Sequence, residues 1–212
     1  MPDVPFDAFP PVPDAKRARA DHPLLPAIAA RWSPRAFDPA RPLADRDVLP
    51  LLEAARWAAS ANNLQPWRLA WTLRGEGAFA ALLACLAPGN AAWAGRAGAL
   101  VLACAALAKP DGTPNRHAAH DLGAALAQLA VQATAAGIGV HFMGGFDAVC
   151  ARDAFGVPDG VEPYTAVALG WPGDPALLDE PARARELSPR ERRPLAEVAP
   201  RGGWGAAPGS AP

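Results

Sequence analysis

Hydrophobic residues recur along this chain in two rhythms, separated by proline- and glycine-rich breaks. Val48, Leu51, Leu52, Ala55 and Ala59 fall at helical spacing and form one apolar face. Asp47 reads as the N-cap of that helix, which leaves Pro50 inside the first turn. Leu24 to Ala30 forms a short helix with Pro26 tolerated near its start. Trp67 and Trp71 fall at strand spacing with Leu69 and Leu73, so Leu69 to Leu73 is a strand and the tryptophans are packing residues. Phe79 to Leu86 reads as a helix ended near Pro88-Gly89-Asn90. Ala99 to Leu107 is a nearly unbroken apolar run, suited to a strand covered on both faces. Lys109 to Arg116 is a turn-rich connection. His117 to Ala136 is the longest helical pattern, with Leu122, Leu126, Leu129 and Ala133 along one side and Gly137 at its end. Ile138 to Phe142 is a short strand leading into Met143-Gly144-Gly145. Asp147 caps a further helix that stops near Gly156, and Tyr164 to Leu169 is a final central strand. Residues 173–212 are rich in Pro, Arg and Gly, too polar to pack alone, and are expected to wrap around another surface. The order predicts an α+β fold, a sheet covered on both sides by helices.

Composition narrows the classes. A chain of 212 residues suffices for one sizeable domain, and half of its residues are hydrophobic. The net charge of −1 argues against general nucleic-acid binding. No segment reaches the apolar length that a membrane helix requires. Prolines at positions 2, 5, 10, 11, 13, 23 and 26 make residues 1–22 an irregular arm and exclude a signal peptide there. Cys85, Cys104 and Cys150 are widely separated, with no Cys-x-x-Cys or Cys/His cluster, so no zinc site is expected. Cys85 and Cys104 lie in apolar runs and read as buried thiols. The odd cysteine count points to a reducing cytoplasm.

Four segments carry candidate chemistry. Between the helix at 47–59 and the strand at 69–73, Ser60, Asn62, Asn63 and Gln65 crowd hydrogen-bonding groups into one element boundary, where a flat polar ligand can be read. The same residues also suit a plain helix end with Asn caps. Arg31, Ser33 and Arg35 offer forked cationic donors and a hydroxyl suited to a phosphate, and equally make a solvated basic turn. Arg190 and Arg192 repeat that theme at the far end of the chain. Gly144-Gly145 suits either close approach of backbone to a ligand or a tight turn. Other motifs fail. Gly137-Ile138-Gly139 ends a helix instead of opening one, and no Walker loop or Gly-x-Ser-x-Gly occurs. His117, His120 and Asp121 lack a third clear metal ligand and read as a polar helix face.

Taken in order, Arg31 to Phe37, Ala59 to Trp67, Gly144 to Asp147 and Arg190 to Leu195 resemble the nitroreductase family of FMN-dependent enzymes, across roughly residues 24 to 200. The resemblance implies an α+β fold with a mixed sheet of four to five strands, intertwined as a homodimer with FMN at the interface. It divides the chain into an arm (1–22), an FMN-binding domain (23–200) and a tail (201–212), whose Gly202-Gly203-Trp204-Gly205 looks like that of some members. By position, Arg31, Ser33, Arg190 and Arg192 would hold the phosphate and ribityl chain, with Trp32 contributing through backbone and packing. Arg35 would lie near the pyrimidine edge. Ser60, Ala61, Asn62 and Asn63 would approach the ring from the partner subunit, supported by Gln65, and Gly144 and Gly145 would present N–H groups near N5 and O4. Two departures stand out. Ala59 replaces the usual proline, and Ala94 falls where many members have a polar residue facing the flavin.

The implied activity is hydride transfer from NADH or NADPH through flavin N5 to nitroaromatics, quinones or flavins by a ping-pong cycle. The chemistry belongs to the flavin, so no side chain is named as catalytic and no metal is expected. The alternatives are a flavin storage protein, and a same-fold flavoenzyme for another substrate, such as a small aldehyde or a halogenated compound.

Overall fold

The computed structural model describes residues 12–204. In chain order these form α1 (Pro26–Ala30), α2 (Asp45–Arg56), β1 (Trp67–Leu73), α3 (Gly77–Ala84), α4 (Pro88–Ala94), β2 (Ala99–Ala106), α5 (Ala118–Ala135), β3 (Gly139–Met143), α6 (Ala148–Phe155), β4 (Val161–Gly170), α7 (Glu180–Leu187) and α8 (Leu195–Val198). Short 3-10 turns occupy Asp14–Lys16, Ala61–Asn63 and Pro175–Leu177. The four strands make one sheet in the order β1-β2-β4-β3. The expected α+β class and four strands are present, and among the described residues the strand pairings are antiparallel.

The continuous apolar run of β2 is explained by the two cores it separates. Ala99, Val101, Ala103 and Ala105 face α2 and α5, packing with Val48, Leu51, Leu122, Leu126 and Leu129. Leu100, Leu102 and Cys104 face the other way, toward Phe79, Leu82, Trp93 and Met143. A strand covered on both faces has no polar side to show, so its sequence does not alternate. β1 covers one layer only at its Trp67, Leu69, Trp71 and Leu73 face, as the two-residue spacing predicts.

Several boundaries differ from the sequence reading. Ala44, not Asp47, caps α2. Asp47 is the third helical residue, and its carboxylate reaches back to accept the Ala44 N–H at 2.8 Å. Pro50 therefore lies in the second turn, on an outer face of the helix. Pro88 opens α4 instead of merely ending α3, since a proline at the first helical position gives up no needed donor. Asp147 does cap α6, accepting from the Val149 and Cys150 amides, and Gly156 closes it at φ 59°.

The cysteine reading is overturned. Cys85, at the C-terminal cap of α3, and Cys150, in the first turn of α6, form a disulfide, and Cys104 remains a buried free thiol. Sixty-five residues separate the pair. Their meeting depends on α3 packing against α6, which spacing along the chain does not reveal. The odd cysteine count therefore no longer argues for a reducing compartment. Among the described residues no helix is long and apolar enough to cross a membrane.

Candidate functional site

Three backbone segments carry the residues singled out in the sequence. The first is Arg31 to Phe37, which leaves α1 and crosses the ends of β3 and β4. Asp38 donates its N–H to Trp171 at 2.9 Å, and Gly173 donates to Ala36 at 2.8 Å. Glycines make this crossing possible. A Cβ at Gly139 would lie 2.5 Å from the Pro34 ring, and one at Gly173 would lie 2.6 Å from the Phe37 backbone.

The chain termini then close over this segment. Arg190 donates through its guanidinium to the carbonyls of Arg31 and Ala29, and its own N–H goes to Ala15 at 3.0 Å. Lys16 is buried, with Nζ donating to Arg185 and Ser188 carbonyls at 2.9 and 2.6 Å while lying 5.3 Å from the Trp32 ring centre. Glu186, 3% exposed, accepts the Arg35 and Ala36 amides at 3.0 Å. The C-terminal stretch thus wraps around another surface as expected, and that surface is the first arginine segment.

Arg31, Arg190 and Arg192 consequently stand close together, and the proton affinity of Arg31 and of Arg190 is depressed. Burial lowers the pKa of Arg31, with Arg192 adding to it, and burial lowers that of Arg190, with Arg31 and Arg192 adding. None of the three forms an ion pair among the described residues. Arg31 Nη1 also donates to Ser33 Oγ at 3.4 Å. Three cations and a hydroxyl, with none of the cations held in an ion pair, fit a bound dianion such as a phosphate monoester. Arg35 differs. Burial lowers its pKa, Glu186 opposes that shift, and Arg185 adds to it.

The second segment is Ser60 to Gln65. Asn62, Asn63 and Gln65 all have left-handed backbones, at φ 51°, 55° and 47°. Asparagine tolerates this conformation and glutamine does so less readily, so local bonds must hold it. Ser60 Oγ accepts the Gln65 N–H at 3.0 Å, and Gln65 Nε2 donates to the Asn63 carbonyl at 3.1 Å. Asp121 of α5, 2% exposed, accepts the Ala61 N–H at 3.0 Å with one oxygen and the exposed His120 Nδ1–H at 2.9 Å with the other. The sequence reading set Asp121 aside as a surface residue. Its position four residues before Ala125 and eight before Leu129, on the apolar stripe, marks it as a carboxylate at a core position. Among the described residues of one chain, no hydrogen bond joins this loop to the arginine segment.

The third segment follows β3. Gly144 and Gly145 are exposed, and neither amide donates to a protein group among the described residues. The Gly145 carbonyl accepts from Ala87 N–H and Asn90 Nδ2, each at 3.0 Å, and a Cβ there would lie 3.0 Å from Asn90 Nδ2. Free amides on an exposed glycine pair suit a planar group rich in acceptors. Ala94 is fully buried in the core beside Trp93.

β3 joins the first and third segments, since Gly139 abuts Pro34 and Met143 leads into Gly144. His141 at its centre donates Nδ1–H to the Pro34 carbonyl at 3.0 Å and stacks at 4.5 Å on Trp93. Burial lowers its pKa to about 4, against the pull of the Pro34 carbonyl, so the ring is neutral near pH 7. Nothing in the local sequence pattern announced His141, Lys16 or Glu186, because each acts through a contact distant in sequence.

Comparison with known proteins bears on this arrangement. The model of the nitroreductase family matches residues 28–86 and 76–171. A solved oxidoreductase containing FMN is 34% identical, with a TM-score of 0.83 over 88% of this chain and 95% of that one. A nitroreductase candidate from Desulfovibrio desulfuricans in complex with FMN is 25% identical, with a TM-score of 0.68 over 87% of this chain and 99% of the other. An uncharacterized 15.4 kDa protein of Mycolicibacterium smegmatis is 47% identical over 127 residues, 60% of this chain and 84% of that one. The major NAD(P)H-flavin oxidoreductase of Aliivibrio fischeri is 36% identical over 47 residues, 22% of each chain.

Proposed function

The chain belongs to the nitroreductase family, and we propose that this oxidoreductase binds FMN and passes hydride from NADH or NADPH to an electron-poor acceptor such as a nitroaromatic, a quinone or a free flavin. The observation that carries this reading is the meeting of Arg31, Arg190 and Arg192, from opposite ends of the chain, with none of them in an ion pair among the described residues. When bound, FMN supplies the two-electron chemistry.

The chain's own residues hold and orient. Arg31, Ser33, Arg190 and Arg192 bind the phosphate, and Trp32 packs beneath them. Glu186 fixes the backbone at Arg35 so that its guanidinium stands toward the pyrimidine edge, where a cation favours a negatively charged ring. Gly144 and Gly145 donate amides to ring acceptors, and the Ser60, Ala61, Asn62, Asn63 and Gln65 loop covers the ring from the partner. A homodimer is supported by apolar side chains left exposed on α1 and around α2: Leu25 is 68% exposed, Leu49 50% and Trp57 72%. We place the activity in the cytoplasm, where both nicotinamide donors are available.

The test is anaerobic titration of the FMN-loaded protein with NADH and with NADPH. Bleaching of the yellow band by either, and its return on adding a quinone, is the expected result. A yellow protein that neither donor bleaches overturns the reductase reading in favour of storage.

A further inference from the structure

The disulfide lies where the Gly144–Gly145 loop is anchored. Asp147 donates its N–H to the Cys85 carbonyl at 2.8 Å, Leu86 bridges Phe146, and Ala87 and Asn90 both donate to the Gly145 carbonyl. The loop therefore hangs from residues 85–90 at one end and runs into α6, which carries Cys150, at the other. Cys85–Cys150 is the covalent tie between these two supports.

The two cysteines differ in exposure. Cys85 is 3% exposed and sits in the core, whereas Cys150 is half-buried and its neighbour Val149 is largely exposed. The third cysteine does not compete. Cys104 is buried in β2, and burial pushes its thiol up to about 11, which keeps it protonated and unreactive. Disulfides of cytoplasmic proteins, where present, are commonly transient and serve redox sensing.

We propose that Cys85–Cys150 is a thiol–disulfide exchange site through which a dithiol reductant frees the Gly144–Phe146 loop and weakens the hold on the cofactor. The consequence for cofactor binding rests on the FMN reading given above; the release of the loop does not. A thiolate of the reductant attacks the Sγ of Cys150, the more exposed of the two cysteines. The bond to Cys85 breaks, Cys85 leaves as thiolate and takes up a proton, and a mixed disulfide forms on Cys150. The second thiol of the reductant then attacks that mixed disulfide, closes its own ring and releases Cys150 as a thiol. Two electrons and two protons pass from the dithiol to the protein, and the dithiol is oxidised.

The experiment uses the full chain, apo and FMN-loaded, equilibrated in buffers poised with reduced and oxidised dithiothreitol. Thiol counts under denaturing conditions should rise from one to three on reduction, given three cysteines of which two are paired. Amides of Gly144, Gly145 and Phe146 should exchange faster with solvent in the reduced protein, and the FMN dissociation constant should rise about tenfold. Cys85→Ser with Cys150→Ser should show the weakened affinity at both poises, while Cys104→Ser should keep the full redox response. Equal loop exchange at both poises overturns the proposal, as does a redox response that survives in the Cys85→Ser, Cys150→Ser protein. The wild-type comparison decides the matter even where the double variant fails to fold. If FMN binds at neither poise, the cofactor reading fails, and loop exchange in the apo protein still judges the disulfide.

Discussion

A neutral, buried imidazole makes His141 an acid-sensitive point. Its pKa is about 4 in the folded protein against an ordinary value near 6.5. Between those values the unfolded chain holds the proton and the folded one does not, so stability rises with pH through this window and is lost on acidification from about 6.5 toward 4. The span corresponds to about 3 kcal/mol. Urea unfolding midpoints measured from pH 7 to 4.5 should fall accordingly, and His141→Gln should flatten that dependence; an unchanged slope would assign the acid sensitivity elsewhere. The arginines give a second test at the same scale. Arg190→Ala with Arg192→Ala should weaken FMN retention at least tenfold, since charged hydrogen bonds to phosphate are each worth about 1.5–3 kcal/mol. Arg183 instead pairs with Glu180 and bonds the Leu178 carbonyl. Arg183→Ala with Arg185→Ala should therefore cost far less, and equal losses would remove the tail from the site.

Among the elements, α7 is the clasp. It is short and polar, and its docking relies on one carboxylate, Glu186, accepting two backbone amides of the arginine segment while Lys16 bonds the carbonyls of Arg185 and Ser188 on either side of it. Glu186→Ala leaves the Ala36 amide, at a residue 1% exposed, without its acceptor and removes the negative charge that favours the buried Lys16 cation. A loss of about 3 kcal/mol in urea unfolding is expected. Glu186→Gln, which keeps an acceptor oxygen, should lose less, and two variants of equal stability would show that α7 docks by other means. α5 plays the matching part for the Ser60–Gln65 loop through Asp121. Elements with strong periodicity were legible from the sequence: α5 and its leucine stripe, the apolar β2, the Asp147 cap and the Gly156 stop. Pro88 misled because proline both ends one helix and begins the next, and Asp47 misled because an N3 carboxylate and an N-cap carboxylate have the same sequence signature.

For the whole molecule, the Ser60–Gln65 loop and the arginine segment, assigned above to one proposed site, do not bond to each other among the described residues of one chain. The Ser60–Gln65 loop is preorganised by Asp121, yet it is not joined to the arginine cluster. A second copy should complete the site. Sedimentation equilibrium should give twice the chain mass at micromolar concentration, and a monomer that still binds FMN tightly would contradict the intertwined arrangement.

The order of the four strands and of α2, α3, α5 and α6, the two covered faces of the sheet and the four candidate segments follow from the sequence alone. Periodicity reports burial, and a motif's residue types report its chemistry, whatever lies around them. Only the tertiary structure decided that Arg190 meets Arg31, that Glu186, Asp121 and His141 hold the site segments in place, that Ala94 is core, and that Cys85 joins Cys150. Each is a contact between residues far apart along the chain. Such contacts are set by how helices and strands pack, and no local pattern records which distant partner the packing will bring.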